Sequence, residues 1–116
     1  MKYLCLVYFE PKALEGMSAS ERTALTRESL DYDAELRRSG HYIVSNALQP
    51  VSTATTVRVR HGGTVATDGP FAETKEHLGG FILIKAKALD EAVRVAARIP
   101  LARLGSIEVR PVMALE

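Results

Sequence analysis

The stretch Asp68-Gly69-Pro70-Phe71-Ala72-Glu73 holds two carboxylates within six residues, interleaved with residues that shape backbone. Asp68 at the end of an apolar run, with Glu73 in reach, is a pair that can take up or release a proton, the chemistry of a general acid or base. The same letters also make a sufficient turn. Asp68 accepts a local backbone bond, Gly69 takes a conformation barred to other residues, Pro70 stiffens the link and Phe71 pins the loop to the core. If Phe71 is buried in that way, Phe71→Ala costs about 3 kcal/mol.

Other chemistry-bearing residues are sparse. His41, His61 and His77 are scattered without metal-ligand spacing, and Glu73 with His77 lacks the second histidine of a zinc-binding helix, so no metal is expected. Gly79-Gly80 leads into an apolar strand and not into a helix, which excludes a phosphate-cradling loop. The single Cys5 lies inside an apolar run and reads as a buried thiol in a reducing, cytoplasmic protein. Tyr8, Tyr32 and Asp33 are the remaining candidates to line a pocket.

Elements must position these groups, and the apolar periodicity supplies them. Residues 2–9, KYLCLVYF, are apolar on both alternating faces, which suits a strand covered on both sides. The run is short for a signal-peptide core, no small-residue cleavage site follows, and no other segment approaches transmembrane length. Ser18 with Glu21 three residues later is a capping box for a helix from about Ala19 to Ser39, stopped by Gly40. Its inward stripe is Leu25, Ser29, Tyr32 and Leu36, flanked by Asp33.

HYIVSNAL forms the second strand. TTVRVR and TVAT form a hairpin around His61-Gly62-Gly63, and FILIKA is another strand apolar on both faces. A second helix carries Leu89, Ala92, Val93, Ala96 and Ala97 on one face and ends at Pro100. SIEVRPVMAL closes the series as the last strand.

The order strand, helix, strand, hairpin, strand, helix, strand is that of an α+β, ferredoxin-like fold: an antiparallel sheet with two helices on one face, in one domain spanning residues 1–116. Two helices leave the second face of that sheet bare. Since soluble monomers seldom expose a large contiguous apolar surface, a homodimer packed sheet to sheet is the economical solution. A formal net charge of +1 gives no footprint for nucleic acid or a membrane surface.

The string TDGPFAETKEHLGGF, continued by LDEAVRVAARIP and IEVRPV and preceded by MKYLCLVY and SGHYIVSNALQP, resembles the DGPF branch of the YCII-related (YciI-like) family over nearly the whole chain. The resemblance implies a dimeric α/β barrel and a cleft suggested as an active site in relatives, where a His–Asp pair has been proposed. Asp68, Gly69, Pro70, Phe71 and Glu73 are the positions of this chain that match the family motif. Family membership does not by itself fix an activity, and two readings follow. The first is a small-molecule enzyme of lyase, isomerase or hydrolase type, with Asp68 and Glu73 as catalytic carboxylates, Tyr8, Tyr32, Asp33, Gly69, Pro70 and Phe71 contacting the ligand, and no cofactor. The alternative is a noncatalytic dimer that binds a metabolite or a regulatory protein, since some relatives are encoded near extracytoplasmic-function sigma factors.

Overall fold

The structure is a computed structural model and describes residues 1–115. Strand β1 (Lys2–Phe9) is followed by a short helix α1 (Pro11–Glu15) and a long one, α2 (Ala19–Ser39). Then come β2 (Tyr42–Ala47), the hairpin β3 (Thr55–Arg60) and β4 (Gly63–Asp68), β5 (His77–Lys85), α3 (Leu89–Ala97) and β6 (Gly105–Pro111). Four strands form one sheet in the order β2-β5-β1-β6, every neighbour antiparallel. With the hairpin set aside this is the expected ferredoxin-like α+β fold, β5 lying between two strands that the first βαβ unit makes parallel.

Strand pairing sorts side chains into two faces. Tyr3, Cys5 and Val7 stand opposite Ile84, Ile82 and Gly80 on one flank and Pro111, Val109 and Ile107 on the other. That face is the core: Cys5, Ile84 and Ala92 are fully buried, and Tyr32 and Leu36 of α2 and Val95 and Ala96 of α3 close over it. Leu4, Leu6, Phe81 and Leu83 point the other way and are only half-buried. Val44, opposite Leu83, is 39% exposed.

Helix α2 is capped as its sequence requires. Ser18 Oγ accepts the Glu21 amide at 3.1 Å, Glu21 Oε1 accepts the Ser18 amide at 3.0 Å, and Gly40 ends the helix in the left-handed region at φ 82°. The Ser18 amide, and after it the Ser18 hydroxyl, hold the Glu21 carboxyl below its ordinary value.

Three local expectations change. Residues 11–15, between the first strand and the capping box where no helix is expected, form α1, because Pro11 occupies a first helical position where its missing N–H is no loss. The buried stripe of α3 is Ala92, Val95 and Ala96, continued by Ile99, while Leu89 and Val93 are 54% and 49% exposed. Both stripes fit helical spacing, and the contact with α2 selects the one carrying Val95. Strand β5 begins at His77 and not at Phe81, so Gly79 and Gly80 belong to the sheet. A Cβ at Gly79 would stand 2.1 Å from the Phe9 ring, and one at Gly80 would stand 2.9 Å from the Asn46 carbonyl. The glycines are there because neighbours occupy the space of a side chain.

The hairpin is a two-stranded sheet of its own and shares no ladder with the main one. Its turn residues His61 and Gly62 both have positive φ, 52° and 75°, as a type I′ turn demands. It projects from the body, and the radius of gyration is 16.1 Å, against about 13 Å for a compact domain of this length.

Candidate functional site

The inner side of α2 carries Ser29, Tyr32, Asp33 and Leu36 because residues three and four apart share a helix face. Leu36 fills the core. Further along, Ser29 and Asp33 meet β2 and β5 where the sheet surface is made of Ala47, Gly79 and Gly80, and small residues there leave a cleft of ≈ 140 Å³ between helix and sheet. Val7, Ile82, Ile99 and Leu101 form its apolar wall; Ser29, Asp33, Ser45 and Asn46 form its polar one.

The polar wall has a direction. Ser45 Oγ donates to Asp33 Oδ2 at 3.3 Å and lies 2.8 Å from Tyr42 Oη. A serine hydroxyl has one proton, so if it is given to Asp33 the Tyr42 hydroxyl donates to Ser45. Two hydroxyls thus run in series toward one half-buried carboxylate. The Arg37 guanidinium lies 4.2 Å from the centre of the Tyr42 ring and keeps that end of the chain in place.

Tyr32 has a different task. Its hydroxyl donates to the Val95 carbonyl at 2.6 Å, tying α2 to α3, and burial raises its pKa above the ordinary tyrosine value. A phenol held in this way lends a ring to the wall and keeps its proton. Cys5 lies fully buried beneath, its thiol pushed up to about 11 by loss of solvent, which leaves it inert as a nucleophile.

The residues anticipated for one site divide between two places. Tyr32 and Asp33 line the cleft. Tyr8, Pro70 and Phe71 line a separate concavity at the root of the hairpin. Gly69 stands at that concavity's edge with φ 99°, its amide bonded to the Ala54 carbonyl at 2.7 Å and its carbonyl accepting Thr56 Oγ1 at 2.8 Å. Asp68, exposed and paired across the hairpin with Thr55, and Glu73, exposed in the following loop, line neither.

Phe71 corrects an expectation outright. It does not anchor the loop in the core; the ring is 79% exposed. The two bonds at Gly69 fasten the loop to residues 54–56 of the arm, and this carries Phe71 away from the sheet. Tyr42 and Ser45 are site residues that local pattern alone reads as ordinary strand. Their signal is two polar side chains of HYIVSNAL on the strand face turned toward the helix.

The histidines stay apart. His41 Nδ1 is 2.7 Å from Ser39 Oγ and its Nε2 lies 3.7 Å from Glu91, His61 is in the hairpin turn, and His77 opens β5. Among the described residues no three His, Cys, Asp or Glu side chains gather as a metal site. No helix of the described residues is long and apolar enough to cross a membrane.

Comparison with known proteins places this architecture. The YCII-related domain matches residues 1–116, the whole chain. The chain belongs to the YCII-related family. A relative of this YCII-related chain, an uncharacterized protein of Rhizobium meliloti (strain 1021), is 36% identical over 113 residues, covering 96% of the chain and 91% of the relative. Among solved structures, the fold is similar to that of 5-chloro-2-hydroxyhydroquinone dehydrochlorinase from Burkholderia phenoliruptrix AC1100, in complex with 2,5-dihydroxybenzoquinone. The TM-score is 0.57 at 17% identity, over 97% of this chain and 94% of that one. At that identity the likeness concerns the fold of the YCII-related chain.

Proposed function

We propose that this YCII-related chain is an enzyme that moves a proton on a small hydroxylated ring compound, in a reaction of lyase or isomerase type that needs no cofactor, with Asp33 as the proton acceptor. The observation that carries this reading is the hydroxyl series Tyr42–Ser45–Asp33, ending on a carboxylate on the polar wall of a cleft whose opposite wall is apolar. One oxygen of Asp33 is held by Ser45, and the other is free among the described residues to accept a proton from a ligand. A cleft of ≈ 140 Å³ suits one six-membered ring, since a cavity of about 150 Å³ takes benzene. The structural neighbour, a dehydrochlorinase in complex with a dihydroxybenzoquinone, supports a ring of that kind. Asp68 and Glu73, expected as the acid–base pair, do not line this cleft in a single chain, and the carboxylate role passes to Asp33.

The test uses 2,5-dihydroxybenzoquinone and chlorinated hydroxyhydroquinones as probes in thermal melts, followed by incubation to detect a changed ring spectrum. The parent is expected to melt higher with a probe and to convert a hydroxylated one; Asp33→Asn, nearly isosteric, is expected to keep its fold and lose conversion. Equal behaviour of parent and variant would remove Asp33 from the reaction. Binding without conversion in the parent would favour the noncatalytic metabolite-binding reading.

The same reading includes a homodimer. Leu4, Leu6, Phe81, Leu83 and Val44 make an apolar stripe on the sheet face away from α2 and α3, and a second copy across a two-fold axis would cover it. Light scattering is expected to give twice 12.7 kDa, about 25 kDa; a monomer at micromolar concentration would sink the dimer.

A further inference from the structure

The residues of the Asp68-Gly69-Pro70-Phe71 turn that remain outside the cleft build something else. At the root of the arm lies a concavity of ≈ 540 Å³, several times the cleft and within the range of about 300–1,000 Å³ usual for small-molecule sites. Tyr8, Leu48, Pro50, Ala54, Phe71 and Leu78 are among its lining residues. Its walls are braced by backbone. The Leu48 amide donates to the Gly79 carbonyl at 2.9 Å, Thr53 Oγ1 donates to the Pro50 carbonyl at 2.8 Å, and the two bonds at Gly69 close the opposite side. The positive φ of Gly69 turns the chain out of β4 so that Pro70 and Phe71 come over the opening.

Three features point to a ligand and to its chemistry. Phe71 offers a ring 79% exposed at the rim, an apolar group with nothing of its own chain to cover it. The engaged tyrosine hydroxyls are those of Tyr3, Tyr32 and Tyr42, and the histidine ring with partners is that of His41. The Tyr8 hydroxyl and the His77 ring, both on this wall, are thus unpartnered among the described residues. Finally, no Asp, Glu, Lys or Arg among the described residues lines the concavity, so a charged ligand would be desolvated without a fixed counter-charge.

We propose that this concavity is a second small-molecule site, separate from the cleft, that takes an uncharged ring compound bearing one hydroxyl or carbonyl. The ring lies against Phe71, Leu48 and Leu78, and its polar group meets Tyr8 and His77. This gives the Gly69-Pro70-Phe71 turn a role in ligand binding that does not involve the carboxylates beside it.

Equilibrium dialysis with 2-naphthol, neutral at pH 7, and 2-naphthoate, an anion of similar shape, tests the site. Saturable uptake of 2-naphthol is expected, with the anion weaker by roughly tenfold or more for want of a counter-charge. Ala54→Trp, which drives an indole into the space, is expected to abolish uptake while the circular dichroism spectrum stays that of the parent. Should that variant fail to fold, Tyr8→Phe decides: it is expected to weaken 2-naphthol severalfold and leave naphthalene unchanged. No saturable uptake by the parent would overturn the site, as it would if a second copy of the chain filled the concavity. Equal uptake of the anion, or a Tyr8→Phe protein that treats 2-naphthol as the parent does, would overturn it as well.

Discussion

Val7 and Val57 are the same residue in the same secondary structure, yet Val7 is 5% exposed and Val57 is 61% exposed. Val7 sits in a four-stranded sheet with helices on its face; Val57 sits in a two-stranded arm with no second layer. Every buried hydrophobic residue belongs to the body, while Val57, Val59 and Val65 of the arm are 52–61% exposed. β-propensity and correct turn chemistry thus suffice to shape a hairpin, but only a second layer makes burial contribute to its stability. The body holds the cleft with Asp33. The arm holds the wall of the larger concavity, and its geometry rests on a few hydrogen bonds at Gly69.

Ile84→Ala, at a fully buried position, is expected to cost about 2–5 kcal/mol in denaturant unfolding, whereas Val57→Ala should cost under about 0.5 kcal/mol. Similar losses for the two would mean that the arm is packed in solution as tightly as the sheet. A smaller but distinct loss, about 1–3 kcal/mol, is expected for Gly79→Ala, whose Cβ would meet the Phe9 ring. Shortening that ring with Phe9→Leu in the same chain should recover part of it, and no recovery would mean that the ring is not what constrains Gly79.

Ser18→Ala removes the cap of α2 and should cost about 1 kcal/mol, read from the melting curve. The same cap has a pH signature. The Glu21 carboxyl is held below its ordinary 4.5 by bonds to Ser18. Its contribution is therefore complete above that value and lost as pH falls through the lowered one. Acid unfolding of Glu21→Gln, which has no carboxyl to protonate, should accordingly lack this part of the loss below pH 4.5 that the parent shows. The smallest effect is expected at the arm's root: Phe71→Ala should change stability by under about 0.5 kcal/mol. A loss near the 3 kcal/mol of a buried ring would show that Phe71 is covered in solution.

Much of the body was legible in the letters. The capping box and Gly40 bound α2 at the residues expected, the stripe of Leu25, Ser29, Tyr32 and Leu36 faces inward, and the strand order follows from two βαβ halves. The misreadings share one cause, that local pattern does not say what lies opposite. For α3, both Leu89–Val93 and Ala92–Val95–Ala96 satisfy helical spacing, and the Tyr32 hydroxyl on the Val95 carbonyl belongs to the second alone. In the loop, the apolar character of Phe71 predicts a core anchor, but the bonds of Gly69 to Ala54 and Thr56 lead it outward.

The site shows the same division. Asp33 and Tyr32 were candidates by their helical phase, since that phase depends on chain geometry and needs no partner. Ser45 and Tyr42 became part of the site only when β2 came to lie beside α2, a contact made across a loop and an edge of the sheet that no local spacing encodes. By itself the sequence determined the main strands and helices, both ends of α2, the two-sided strands and the family, because capping, periodicity and turn chemistry act between residues a few positions apart. The tertiary structure alone decided which carboxylate stands in the cleft and that the Gly69-Pro70-Phe71 turn belongs to a different concavity. Both depend on contacts between residues far apart in the chain, and those exist only once the sheet has formed.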